Sequence, residues 1–377
     1  ALGRGSGTMV CDLYDPFELE GLVRGVDLPV AARYSATRRA LSVLSGQLAR
    51  GDLFLCASER QRLFWLGHLD AAGRVNPATY DADPTLASLL VVVPFGIEDE
   101  APTRDGPGLR GEVEGLDDAS RILLWGGGIY DWLDPLPLID AMAELAPEIP
   151  ELRLVFMGTA HPNPAVRPPA MLGEARRLAA ARDVEHAVLF HDGWVPYEQR
   201  HNVLLDAEVG VSGHRPHIET LLAYRTRILD YVWAGLPVVT TAGDALGDLV
   251  AAEGLGAVVP PSDPAAVASA LRALLLDPDR AAEVRRNVAA TAPAMRWSAA
   301  LRPLLDHCAA PRPAADRDER EAARLRLDRA PGRSERRART RDLAGSARRV
   351  LRDEGPVGLA GKAIDKARAK ARRRQAG

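Results

Sequence analysis

Short apolar runs recur along most of this chain, each followed by a longer amphipathic stretch. Strand-sized runs rich in Val, Leu and Ile fall at 8–12, 52–56, 89–93, 121–126, 152–158, 187–190, 207–212, 237–241 and 257–260. Helical patterns lie between them at 36–50, 58–68, 135–146, 170–182, 196–206, 226–234, 244–253 and 264–276. Strands that are apolar throughout, without alternation, need cover on both faces. Strand–helix alternation of this kind predicts an α/β protein with parallel sheets and helices on either side.

The rhythm breaks once. Residues 97–120 are charged, carry Gly and Pro and have almost no large apolar side chain. This stretch reads as a linker or long surface loop. Before it, residues 1–96 hold only three strand candidates; after it, βα units follow in close order. The expected organisation is a partial Rossmann-like domain at 1–96, a linker at 97–120, a complete domain at 121–310 and a tail at 311–377. The chain starts at Ala1 rather than Met, and with so few strands the first domain is expected to be truncated at its N-terminus.

Composition narrows the class further. Three cysteines, Cys11, Cys56 and Cys308, are odd in number and far apart, which excludes a disulfide scaffold and a Cys-based zinc site. No apolar run approaches the roughly 20 residues of a membrane span, and the polar, Gly-rich start does not resemble a signal peptide. A cytoplasmic protein is expected. The net charge of −3 hides an asymmetry, because residues 333–377 hold 15 basic and 5 acidic side chains. That tail carries +10 and the rest of the chain −13. Its Leu343, Val350, Leu351, Leu359 and Ile364 are interspersed with arginine, a pattern that suits either an anionic membrane surface or a solvated end. No aromatic residue interleaves with these charges, so nucleic acid is not an expected partner.

Several places could carry chemistry. Gly126, Gly127 and Gly128 follow a strand and precede a helix. Glycine there lets backbone approach a phosphate, or simply makes a tight turn. The second place is HRPHIETLLAYRTRILDYVWAGLPVVTTAGD at 214–244. Arg225 and Arg227 stand at the start of its helix, where cations oppose the helix dipole. Either an anion binds there or the arginines pair with surface carboxylates; His214, His217 and Glu219 crowd the same loop. Asp230, within that helix, suits two ribose hydroxyls or is a solvated helix residue. In CDLYDPFELE at 11–20, Asp12, Asp15, Glu18 and Glu20 gather around Tyr14 and Phe17, as a site or as an acidic helix start. His161 follows a strand end. No cluster has the spacing of a metal site.

Several segments together carry a resemblance. They are the strand–GGG–helix at 122–146, LRLVFMG at 152–158, AVLFHDGWVPYEQR at 187–200, AEVGVSGH with LDYVWAGLPVVTTAGD at 207–244, and GLGAVVPPSDPAAVASALRALLLDP at 254–278. In this order they resemble the nucleotide-sugar-binding domain of the family 4 retaining glycosyltransferases, which have the GT-B fold of two Rossmann-like domains facing a cleft. DLFLCASERQR and LLVVVPFGIED resemble parts of that family's first domain. The 214–244 pattern is similar to a subgroup associated with bacterial surface polysaccharide assembly.

The resemblance implies specific roles. Gly126, Gly127 and Gly128 would approach the donor diphosphate; Asp192, Gly193, Trp194 and Val195 would face the base. Asp230 takes the position of the acid that holds the ribose. Thr226 and Arg227 stand where backbone amides meet the phosphates. Leu222 occupies the position of the family's first motif Glu, and Glu219 is the nearest acid. The family's Arg and Lys after the glycine loop are replaced by IYDWLDP, which leaves Arg225 and Arg227 to neutralise the diphosphate. Asp12 occupies a position commonly held by His; Tyr14 and Asp15 would lie on the acceptor side, and His217 near the donor. The implied activity is sugar transfer from a nucleotide-diphosphate sugar to a glycan or lipid-linked acceptor, with no cofactor or metal. A non-catalytic nucleotide- or partner-binding relic and a nucleotide-sugar epimerase are the alternatives. The tail would bring such an enzyme to the inner face of the plasma membrane.

Overall fold

The computed structural model describes residues 7–160, 163 and 168–322. Among the described residues, nine strands form two parallel sheets. The first contains β1 (Val10–Asp12), β2 (Leu53–Cys56) and β3 (Leu90–Val92), in the order β1-β2-β3. The second contains β4 (Arg121–Trp125), β5 (Leu152–Phe156), β6 (Val188–Phe190), β7 (Val209–Ser212), β8 (Val238–Thr241) and β9 (Gly256–Val259). Its order is β6-β5-β4-β7-β8-β9. All nine strands fall on the apolar runs of the sequence, and the α/β expectation holds.

The second sheet has the doubly wound order, with β4 first in sequence and central in space. Its order reverses between β4 and β7. Chains leaving these two strands turn in opposite directions, which opens a crevice at their carboxyl ends. The glycine run follows β4, and the His214 loop follows β7. Topology alone therefore brings the two chemistry-bearing segments together.

Helices cover the sheets. Those before the linker are α1 (Phe17–Arg24), α2 (Val30–Leu48), α3 (Glu59–Ala71) and α4 (Pro77–Ala82). Against the second sheet lie α5 (Leu136–Leu145), α6 (Ala170–Ala181), α7 (Arg200–Leu204), α8 (Ile218–Leu222), α9 (Arg227–Trp233), α10 (Ala245–Ala252) and α11 (Pro264–Leu276). Then come α12 (Pro278–Thr291), α13 (Trp297–Ala300) and α14 (Arg302–Ala309). Ile122, Leu123, Leu124 and Trp125 of β4 are all fully buried, as are Ile139, Met142 and Leu145 of α5. Each such side chain contributes roughly 1.5–3 kcal/mol through burial. No helix among the described residues is long and apolar enough to cross a membrane.

The stretch 97–120 is not a free loop. Asn202 Oδ1 accepts the amides of Asp105 at 3.0 Å and Gly106 at 3.2 Å. Asp206 accepts those of Leu109 at 2.5 Å and Arg110 at 3.1 Å. Ile97, Leu109 and Val113 are buried in the core of the second sheet. After α12 the chain returns to this stretch: Ile97 N–H donates to Met295 O, and Trp297 N–H to Ile97 O, both at 2.9 Å. Both sheets belong to one compact unit, residues 1–315, and a second unit begins at Asp316. Residues 333–377, the basic tail, lie outside the described residues, as does His161.

Candidate active site

Tyr231 of α9 ties the crevice together. Its hydroxyl accepts the Gly126 amide at 2.8 Å and lies 3.0 Å from Leu124 O and 2.9 Å from Val211 O. One buried ring thus joins β4, β7 and α9. Glycine at 126 lets this ring pack closely, since a Cβ there would come within 3.2 Å of it. Gly127 has φ +130°, a conformation that L side chains rarely adopt.

Arg227 opens α9 directly beneath the glycine run. Its Nη2 donates to Gly128 O at 3.0 Å, and its guanidinium lies 4.7 Å from the Trp125 ring centroid. Its Nη1 is buried and has no hydrogen-bond partner. Burial lowers the Arg227 pKa, but arginine stays charged in proteins. A charged guanidinium with an unused buried donor beside a glycine turn has the chemistry to receive an anion.

Arg225 is arranged differently. Its Nη2 donates to Glu219 Oε2 at 2.7 Å, and both side chains are buried. Arg225 therefore pairs with a carboxylate, and that carboxylate is inside the site rather than on the surface. Glu219 sits in the short helix α8, which His217 caps by accepting the Glu219 amide on Nδ1 at 3.1 Å. Asp230 accepts Arg200 Nε at 3.1 Å. Arg200 is held in turn over Tyr197, 3.7 Å from the ring centroid, and over Trp233 at 4.6 Å. Burial raises the Asp230 pKa, although Arg200 opposes the shift.

Several of these groups line a cleft of about 290 Å³ that is closed on its other side by residues near the first sheet. Gly126, Gly127, Gly128, Glu219, Arg225, Thr226, Arg227 and Asp230 face Tyr14, Asp15, Glu20 and Gln61. Burial, together with the nearby carboxylates of Glu20 and Glu219, pushes the Asp15 pKa up to about 6. Tyr14 meets Phe95 edge-on at 4.6 Å. Tyr130 and Trp132 stack at 4.9 Å on the wall formed by the second sheet, and Arg24 of α1 lies 5.2 Å from the Trp132 ring centroid.

Not every residue singled out in the sequence meets here. Asp12 is outside the cleft lining and uses Oδ1 to accept the Tyr14 amide at 3.1 Å. His217 also lies outside the lining, as do Gly193, Trp194 and Val195 beyond the end of β6. Trp194 is 60% exposed. Conversely, Gln61, Tyr130, Trp132 and Tyr224 line the cleft without having been singled out. Tyr130 and Trp132 lie within IYDWLDP, which attracts notice in the sequence only for its missing cations. Gln61 carries no signal at all: its role depends on a hydrogen bond from Nε2 to Leu222 O at 2.8 Å, across 161 residues of sequence.

Residues 120–277 match the family model described as glycosyl transferases, group 1. Among solved structures, the chain is similar to Anabaena HepE in complex with UDP and glucose, with TM-score 0.54 and 15% identity over 80% of this chain and 72% of that one. It is similar to WaaG, a glycosyltransferase involved in lipopolysaccharide biosynthesis (TM-score 0.52, 17% identity, 82% and 75% covered). A third is sucrose-phosphate synthase from Thermosynechococcus elongatus (TM-score 0.50, 20% identity, 79% and 66% covered). The chain thus spans 66% of the length of that synthase. These likenesses establish the GT-B fold. No curated protein sequence matches the chain.

Proposed function

We propose that this chain, a GT-B protein carrying a group 1 glycosyl transferase domain over residues 120–277, moves a sugar from a nucleotide-diphosphate sugar to a glycan or lipid-linked acceptor. The observation that carries the proposal is Arg227, whose Nη2 holds Gly128 O of the glycine turn at the switch point of the sheet while its Nη1 has no partner. A diphosphate there would satisfy that donor and place its charge at the start of α9, where the helix dipole favours an anion.

In this reading the rest of the cleft follows from chemistry. Asp230, steadied by Arg200, takes ribose hydroxyls. Glu219, fixed by Arg225, accepts hydroxyls of the donor sugar. Transfer breaks the bond between the anomeric carbon and the diphosphate oxygen and forms one to the acceptor oxygen. Negative charge develops on the departing diphosphate, and a preorganised guanidinium stabilises it most at that moment. Arginine, rather than a divalent cation, supplies that charge. Tyr14 and Asp15 lie where the acceptor would enter, and a carboxyl with a pKa of about 6 is suited to take a proton near neutral pH.

Retention of configuration and a role in surface polysaccharide assembly are proposed on the sequence resemblance. The basic, Leu- and Val-interspersed sequence of 333–377 supports contact with an anionic membrane surface, and so a peripheral cytoplasmic enzyme acting on a lipid-linked acceptor. Calorimetry against UDP, GDP and ADP tests the donor reading directly. Binding of at least one is expected, with the Arg227→Ala variant much weaker. Absence of binding to any of the three would instead favour a relic that binds a partner.

A further inference from the structure

The Glu219–Arg225 pair is backed by a second buried acid. Asp244 caps α10, and its side chain is fully buried. Its Oδ1 accepts the Gly247 amide at 2.6 Å. Its Oδ2 lies 3.8 Å from Arg225 Nε and 3.7 Å from Nδ1 of His214, which is also fully buried. Capping explains one oxygen only. Ser, Thr or Asn caps a helix about as well as Asp and brings no charge into the interior. A carboxylate buried this deeply is expensive unless a cation faces it.

The groups facing Asp244 identify that cation. They are Arg225 at the entry to α9, His214 after β7, Arg60 of α3, and the amides of Leu246 and Gly247 in α10. His214 is no counter-charge, because burial and the adjacent Arg225 push its pKa down to about 4. Arg60 is committed elsewhere, donating to Gly243 O at 2.5 Å and pairing with Asp248. Arg225 remains. It is bracketed by two buried carboxylates, with Glu219 in front and Asp244 behind.

We propose that Asp244 is a positioning residue for transfer: it holds the Arg225 guanidinium from behind, so that Arg225 fixes the Glu219 carboxylate at the donor sugar. This rests on the reading of Glu219 given above. The consequence is a division of labour, since Arg225 cannot swing to the diphosphate without leaving two buried acids unpaired. Contact with the diphosphate falls to Arg227.

Asp244→Asn tests this, because asparagine preserves the cap and removes the charge. Wild type, Asp244→Asn, Arg225→Gln and the double variant are compared by urea unfolding, by calorimetry with UDP, GDP and ADP, and by turnover of the corresponding sugar nucleotides. Expected are non-additive stability losses, the double variant being no less stable than Arg225→Gln alone. Turnover by Asp244→Asn should fall at least about tenfold while its nucleoside-diphosphate Kd moves by less than about threefold. Additive losses would overturn the proposal, and so would wild-type turnover by Asp244→Asn. If wild type neither binds nor turns over any of the three, the donor reading fails separately, and the stability cycle still decides whether Asp244 holds Arg225.

Discussion

Arg225 and Arg227 are two positions apart, yet their surroundings assign them different work. Arg227 Nη1 has no partner and Arg225 Nη2 has a buried carboxylate. Replacing Arg227 by Ala should therefore weaken nucleoside-diphosphate binding by the worth of charged hydrogen bonds, about 1.5–3 kcal/mol or roughly 10- to 100-fold in Kd. The thermal midpoint should hold steady or rise, because an incompletely paired buried cation is removed. Lysine at 227 keeps the charge but loses the fork, so its affinity should fall in between. Asp15 makes a second prediction at this scale. With its pKa pushed up to about 6 by burial and by neighbouring acids, it is ionised above that pH and protonated below. If it accepts the acceptor proton, wild-type turnover should rise as pH passes upward through about 6. Asp15→Asn should be slow and should keep only the part of that limb that comes from Asp244, whose pKa burial also pushes up to about 6.

At the scale of elements, the strands were legible because nearly all are apolar runs in a parallel sheet, buried throughout in β2, β7 and β8, although β1 exposes Val10 and Asp12. The helices were legible where one face enters a core, as with Leu138, Ile139, Met142 and Leu145 of α5. In α2 only Leu44 and Leu48 are buried, and the helix begins at Val30, six residues before its amphipathic pattern suggests. α1 was legible as an acidic helix start after Pro16, one of two readings of 11–20, but not the burial of its Glu18. The site was legible to the same extent. The glycine turn, Arg225, Arg227 and Asp230 follow from strand–helix order, whereas the Glu219–Arg225 pairing depends on how one short helix folds back. The linker shows the same limit. Its polar sequence hides Leu109 and Val113, and Asp206 gathers two amides with Arg104 at 2.6 Å and Arg110 at 3.0 Å. Burial would raise the Asp206 pKa, but these partners outweigh it and hold it below the ordinary value. Asp206→Ala leaves two amides without their acceptor and should cost about 1–3 kcal/mol at neutral pH, the half-exposed arginines adding little. A depressed folded-state pKa contributes stability above the unfolded value of about 3.9 and loses it as pH falls through the folded one. Urea unfolding should accordingly show the gap between wild type and Asp206→Ala narrowing on acidification.

For the whole molecule, the question is what joins the donor-side wall to the acceptor-side wall. The groups assigned to the diphosphate and ribose all come from residues 126–128 and 225–230, around the second sheet. Donor binding should therefore not need the first sheet, whereas transfer needs Tyr14 and Asp15 brought opposite. Helix α3 makes that connection. Gln61 holds Leu222 O at the end of α8, while Arg60 holds Gly243 O and Asp248 at the start of α10. These contacts flank Arg225, with Glu219 three residues before the first and Asp244 between the two made by Arg60, so α3 both closes the cleft and braces its buried charges. An Arg60→Ala, Gln61→Ala double variant separates binding from closure. It should bind nucleoside diphosphate with nearly wild-type Kd, and its amides over 219–225 should exchange hydrogen faster. Turnover should drop, because the acceptor-side groups are no longer held in register with the donor, and misplacement by about 1 Å is enough to cost roughly 100-fold. A matching loss of diphosphate affinity would show instead that the donor site itself is assembled from both sheets.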